Sequence, residues 1–118
     1  MGQVEIENAK ISSVSFSMAD HGYITFWVSI ELNGGGCSIG GYCIGHGYVG
    51  ADEFDGSGKG IEAMARIMDT VGVEKWEDLE GKYCRVETEG WGGRIHTIGN
   101  IIKDKWFDID KFFEKGKK

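Results

Sequence analysis

The chain has 118 residues, a net charge of −6, three cysteines, 20 glycines and no proline. That length fits one domain, and the acidic balance argues against a non-specific DNA or RNA binder, which needs a basic face to neutralise phosphates. No apolar run approaches the roughly 20 residues of a membrane span.

The cysteines Cys37, Cys43 and Cys84 are odd in number and follow no disulfide framework, so they read as free thiols in a reducing compartment. Nothing at the N-terminus resembles a signal peptide. The expectation is one cytoplasmic domain over residues 1–118, with an ordered core over 3–114 and a frayed basic tail over 115–118. A small phosphorylated ligand stays open, because a few local Arg, Lys and backbone N–H groups suffice for it.

In chain order, Val4 and Ile6, then Val14, Phe16 and Met18, alternate with polar residues, which predicts a strand from about Gln3 to Met18, interrupted at Asn8–Lys10. Asp20-His21-Gly22 predicts a turn. The next strand alternates cleanly: Ile24, Phe26, Val28, Ile30 and Leu32 form a core face, and Tyr23, Thr25, Trp27, Ser29 and Glu31 form the other. That second face carries two aromatics and invites a cover. Asn33–Gly36 predicts a turn, Cys37–Ile44 a glycine-rich strand, and Gly45–Gly56 an irregular loop. Eleven of the glycines fall between Gly34 and Gly60, so close backbone approach is expected in that stretch.

A helix is predicted over Ser57–Val71, with Ser57 as its cap, Gly72 as its stop and Ile61, Met64, Ala65, Met68 and Val71 as its apolar stripe. A short helix over Glu74–Leu79 carries Trp76. A strand over Tyr83–Glu89, a turn at Gly90–Gly93 and a partner strand over Arg94–Ile102 predict a second hairpin. A last helix over Asp108–Glu114 brings Ile109, Phe112 and Phe113 to the core. The expected fold class is therefore α+β: a mainly antiparallel sheet with one main helix and two short ones, in the order β-β-β-α-(α)-β-β-α.

Few constellations carry chemistry. Gly56-Ser57-Gly58-Lys59-Gly60 resembles part of a phosphate loop, but the position five before Gly58 is Glu53 and Lys59 is followed by Gly60, so nucleoside-triphosphatase chemistry is not expected. Phosphate contact at that helix start competes with a flexible helix start of no function. Cys43 and His46 are three apart with Cys37 nearby, but no fourth metal ligand follows, so no metal is expected. The histidines are His21, His46 and His96, and the acids Asp52, Glu53 and Asp55 read as a solvated loop. No nucleophile sits in a recognisable setting, so no enzyme and no cofactor are expected.

Four residues stand out as ligand contacts. Arg66 flanks the helix stripe, either snorkelling at the surface or clamping a phosphate. Trp91, between glycines at a hairpin tip, packs on its own hairpin, stacks on a base or enters another subunit. Arg94 is placed for a phosphate, and Asn100 for a ribose or base edge unless it marks a bulge. Trp76, Trp106, Phe107, Phe112 and Phe113 read as core.

Five stretches together carry a resemblance: Glu7-Asn8-Ala9-Lys10-Ile11; Asp20-His21-Gly22-Tyr23 with Thr25-Phe26-Trp27; Gly40-Gly41-Tyr42; Glu62 through Tyr83; and Gly99-Asn100 through Phe107. They resemble the first Thoeris anti-defence family of phage proteins, over nearly the whole chain. The resemblance implies a signal sponge in the host cytoplasm, which holds intact the cyclic ADP-ribose isomer made by bacterial TIR-domain immune proteins. Cyclic di- and trinucleotides are implied as further ligands, as is a dimer that builds into a hexamer. It also points to Arg66, Trp91 and Asn100 as the ligand residues, although the stacking residue in the family can be phenylalanine and Trp91 departs from that. Lys115, Lys117 and Lys118 stand where another phosphate contact is sought. The competing expectations are an interaction protein that inhibits a host defence protein by direct binding, and a hydrolase of the same signal.

Overall fold

The computed structural model describes residues 5–88 and 93–114. The fold class is α+β, with a curled, mainly antiparallel sheet and two helices.

Strand β1 (Glu5–Asp20) is central and long. It pairs antiparallel with β2 (Tyr23–Leu32) across the turn at His21-Gly22, and through its first half with β6 (Tyr83–Thr88). The expected interruption at Asn8–Lys10 does not break β1: these residues pair with Arg85, Cys84 and Tyr83. A register shift falls just after, between Ile11 and Ser13, where β1 hands over from pairing with β6 (through Lys10) to pairing with β2 (from Lys10 onward).

The free edge of β2 is shared by two strands. β3 (Gly35–Gly40) pairs with Trp27–Leu32, and β4 (Gly45–His46) pairs with Tyr23 and Ile24. Between them, Gly41–Ile44 stand opposite only Thr25 and Phe26, so the strand bulges away from the sheet. Glycine makes this possible. Gly40 has φ +128, and a Cβ there would lie 2.3 Å from the Phe26 carbonyl oxygen. A Cβ on Gly41 would meet the Trp27 ring at 2.5 Å, so this bulge supplies part of the cover that the aromatic face of β2 required.

The stretch expected as an irregular loop holds β4 and β5 (Asp55–Gly56), which pair with each other. The expected Arg94–Ile102 strand is divided. β7 (Gly93–Arg94) runs parallel to β3, β8 (Thr97–Gly99) pairs with β6, and β9 (Trp106–Asp108) extends the sheet beyond β8. The Gly93–Gly99 segment thus touches both β3 and β6, which curls the sheet upon itself.

Helix α1 (Gly58–Val71) starts at Ser57, whose Oγ accepts from the Gly60 N–H at 3.0 Å, and stops at Gly72 with φ 102. Its buried face differs from the expected stripe. Gly60, Ala63, Ile67 and Thr70 are buried, Met64, Met68 and Val71 are half-buried, and Ile61 is 67% exposed. The reason is proximity: a Cβ at Gly60 would lie 2.4 Å from Ile44 Cβ, so the helix approaches the sheet through its smallest residues, not its greasiest. A 3-10 helix (Trp76–Leu79) sets Trp76 edge-on to Phe26 at 5.6 Å, and α2 (Ile109–Glu114) buries Ile109 and packs Phe112 and Phe113 on the cluster. Among the described residues the core runs from Ile11, Phe26, Val28 and Ile39 on the sheet to Ala63, Ile67 and Ile109 on the helices.

Two thiols lie in that core. Burial, and secondarily the charge of Glu7, pushes Cys37 up to about 11; burial, and secondarily Cys37, pushes Cys84 up to about 12. Their raised values favour the folded state fully below the ordinary value of 9.0, and that contribution is lost as pH rises toward the folded values. Urea midpoints should therefore fall between pH 9 and about 11, and Cys84→Ala should flatten that fall while leaving the slope of the profile below about pH 8 unchanged.

Candidate functional site

Where α1, α2 and β9 meet they leave a groove of about 430 Å³, lined by Lys59, Arg66, Trp106, Phe107, Asp108, Lys111 and Phe112. Lys59 and Arg66 lie seven apart on α1 and so share a face. α2 brings Lys111 and Phe112 to them, and β9 brings Trp106. Asp108 accepts from the Lys111 backbone N–H at 3.0 Å, which fixes the start of α2.

The groove is cationic and aromatic in an acidic chain. Lys59 Nζ sits 4.1 Å from the centre of the Phe112 ring and Arg66 Cζ 5.6 Å from it. Arg66 also bonds Glu62 through Nε at 2.7 Å and through a terminal nitrogen at 2.6 Å. An exposed pair of this spacing is worth about 0.3–0.5 kcal/mol, so Glu62 holds the guanidinium only weakly. Opposite the groove, Arg85 Cζ lies 4.8 Å from the Trp106 ring. Trp106, expected in the core, is half-buried and walls the groove, because its indole N–H reaches Asp104 at 3.0 Å.

The expected site residues do not all converge. Arg66 lies in the groove. Asn100 has a different employment. Its Nδ2 donates to the carbonyls of Thr70 (3.0 Å) and Val71 (3.4 Å), and its Oδ1 accepts from the N–H groups of Ile102 (2.9 Å) and Lys103 (2.8 Å). Its whole hydrogen-bonding capacity is spent inside the chain. It closes the last turn of α1 and folds the loop that leads to Trp106. Arg94 lies on β7, paired with Ser38. Trp91, Lys115, Lys117 and Lys118 lie outside the described residues. Sequence reasoning missed Lys111, and it considered Lys59 only as part of a phosphate loop. At that helix start the Gly60 N–H is taken by Ser57 Oγ and the Ile61 N–H by the Ser57 carbonyl, and the Lys59 side chain is what reaches the groove.

A second cluster involves residues the sequence set aside. His46 Nδ1 meets an Asp55 carboxylate oxygen at 3.0 Å, and His46 Nε2 lies 3.8 Å from Cys43 Sγ. The β4–β5 pairing that joins them spans a loop and has no periodicity to announce it. Among the described residues no group of three or more His, Cys, Asp or Glu side chains is arranged to hold a metal ion, and no helix is long and apolar enough to cross a membrane. No protein-family model, curated protein or solved structure matches the chain.

Proposed function

We propose that this protein binds a cyclic nucleotide immune signal, a cyclic ADP-ribose isomer or a cyclic di- or trinucleotide, and holds it without cleaving it. On this reading it is a phage anti-defence sponge acting in the host cytoplasm. The observation that carries the proposal is the convergence of Lys59, Arg66 and Lys111 with Trp106 and Phe112 in one groove of a chain whose net charge is −6. Cations answer phosphates and flat rings answer bases or the faces of ribose. The resemblance in the five sequence stretches points the same way.

A sponge must bind tightly, and nanomolar affinity is about −12 kcal/mol. The groove is open on its solvent side, whereas a small ligand held that firmly is almost engulfed. A second copy is the natural missing wall. A place for self-association fits this reading: beyond Ile11 no described strand pairs the outer edge of β1, which there reads Ser12-Ser13-Val14-Ser15-Phe16-Ser17-Met18-Ala19, with Phe16 57% exposed and a Glu80 carboxylate oxygen accepting from the Val14 N–H at 3.3 Å, a contact a partner strand would displace. Such an edge is a template for a partner strand. We place the dimer contact there and the hexamer on further contacts between dimers.

The test incubates the protein with the cyclic ADP-ribose isomer, separates free ligand by filtration, and heats the retained fraction to release what is bound. Recovery of intact ligand supports the sponge. Arg66→Ala and Lys59→Ala should each weaken binding about 10- to 100-fold, from about 1.5–3 kcal/mol per lost charged contact. Trp91→Ala should do likewise if it stacks on the ligand. Altered product would make the protein a hydrolase. No retention of this ligand or of cyclic di- and trinucleotides would turn attention to a protein partner.

A further inference from the structure

Cys43, His46 and Asp55 form a line of three reactive groups on residues separate from the groove. The bulge Gly41–Ile44 carries Cys43 off the edge of β2 and leaves it exposed, unlike Cys37 and Cys84. His46 is then held from several sides. Its Cα partners are Tyr23 on β2 and Asp55 on β5, and the Tyr23 ring lies 5.5 Å from the imidazole. Its neighbours lack side chains for a reason: a Cβ at Gly45 would lie 2.5 Å from the Asp55 carbonyl, and one at Gly47 2.2 Å from the Phe54 ring. The close approach of β5 to β4 therefore depends on glycine, and that approach sets the 3.0 Å contact between His46 Nδ1 and Asp55.

The contact has a chemical consequence. When Nδ1 carries the hydrogen that Asp55 accepts, Nε2 presents a lone pair, and Nε2 is the nitrogen 3.8 Å from Cys43 Sγ. The thiol also lies 3.3 Å from the Gly45 carbonyl, so its hydrogen turns between two acceptors without moving the sulfur. Beside the imidazole is a cleft of about 330 Å³, lined by His21, His46, Tyr48, Glu53, Phe54 and Asp55. Cys43 does not line this cleft, which reaches only the His46 and Asp55 end of the row.

From this alignment of thiol, imidazole and carboxylate we propose that Cys43 is a nucleophile that accepts an acyl group from an activated ester or thioester, with His46 as its base and Asp55 as a positioning residue. Cys43 Sγ attacks the carbonyl carbon while its proton passes to His46 Nε2. An S–C bond forms, the bond from carbon to the leaving oxygen or sulfur breaks, and the imidazolium returns the proton to the departing alcohol or thiol. The product is an acyl thioester on Cys43. The charged and titratable groups that bear on His46 are Tyr23 from β2, Asp55 from β5, Cys43 from the bulge, and His21, Tyr48 and Glu53 around the cleft.

The test uses the whole chain with 4-nitrophenyl acetate near neutral pH. The expected result is a burst of nitrophenolate, with acetate found by peptide mass spectrometry on Cys43, while the buried Cys37 and Cys84 stay unmodified until the protein is denatured. His46→Ala and His46→Gln should slow the burst at least about 10-fold, the low end of general-base assistance. Asp55→Asn should slow it less. The variants should converge on the wild-type rate in alkaline solution, where a thiolate forms without the help of a base. A merely structural role for His46 would not make the defect vanish with pH. The proposal fails if Cys43→Ser keeps the burst or if both His46 variants react at the wild-type rate near neutrality. It also fails if Cys43 in the native protein acylates no faster than in the urea-unfolded chain, a comparison that needs no folded variant. Loss of this chemistry would leave nucleotide binding untouched, and the reverse holds as well.

Discussion

Gly40→Ala should be the most damaging addition of a single methyl group in this protein, costing about 2–5 kcal/mol, the sum of a positive φ forced on an L side chain and a clash that side-chain rotation cannot relieve. The residue has φ +128, and its ideal Cβ lies 2.3 Å from the Phe26 carbonyl oxygen, 3.1 Å from the Phe26 carbonyl carbon and 3.0 Å from Trp27 Cα. All three are backbone atoms of β2, which pairs on both edges and carries the buried Phe26, Val28 and Ile30. Moving them shifts the register of the central ladder. Two controls separate the contributions. Gly50→Ala has φ +91 with nothing within 4 Å, so only the backbone cost remains, about 1–2 kcal/mol. Gly35→Ala has neither a positive φ nor a neighbour within 4 Å and should change little. Urea midpoints should rank Gly40→Ala far below Gly50→Ala, and Gly35→Ala near wild type. Equal midpoints for the first two would mean that the bulge after β3 is misplaced. The same bulge sets Cys43 against His46, so a partly folded Gly40→Ala protein should also lose its acylation burst.

That dependence on glycine explains which parts of the molecule could be read in the sequence. The β2 strand was legible because burial on one face writes itself as alternation over ten residues. The limits of α1 were legible because Ser57 and Gly72 act on their own neighbours. Its core face was not, since Gly60 and Ala63 are buried for their smallness, and hydrophobic periodicity is blind to that. β4 and β5 are two residues each, too short for any pattern, and their pairing sits behind a loop that looked merely acidic. For this reason Asp55 read as solvated, and the three-residue spacing of Cys43 and His46 looked like an incomplete metal motif. In the groove, Arg66 was visible as a cation beside an apolar stripe. Lys111 was not, because only the packing of α2 against α1 brings it there. Trp106 looked like core because it is large and aromatic, yet its N–H partner Asp104 holds it at the rim.

Asn100 shows how a polar residue inside an apolar run can be noticed while the work its amide does within the fold stays hidden. Its amide bridges two elements that are 30 residues apart in the chain, a separation no local pattern reports. Gly72 and Val73 donate to the Met68 carbonyl, which leaves the Thr70 and Val71 carbonyls at the end of α1 to Asn100 Nδ2. Around it, the Asn100 N–H bonds the Lys105 carbonyl at 2.9 Å, Arg85 reaches the carbonyls of Asn100 and Lys103 at 2.7 Å each, and Lys105 pairs with Asp69 at 2.9 Å. Asn100→Ala should therefore cost about 2–4 kcal/mol, from four hydrogen bonds of about 0.5–1.5 kcal/mol each with water recovering part at the exposed N–H groups. Asn100→Asp should be no better. It keeps the two acceptors for Ile102 and Lys103 but loses both donors and sets a negative charge against the carbonyl end of the helix. Thermal melts of the two variants, run beside Arg66→Ala, separate a structural amide from a ligand contact. Arg66→Ala should lose nucleotide and keep its melting temperature. Asn100→Ala should melt lower with no ligand present, and any loss of binding should follow from displacement of the loop that carries Trp106. An Asn100→Ala protein that melts like wild type but no longer binds nucleotide would return this residue to the ligand.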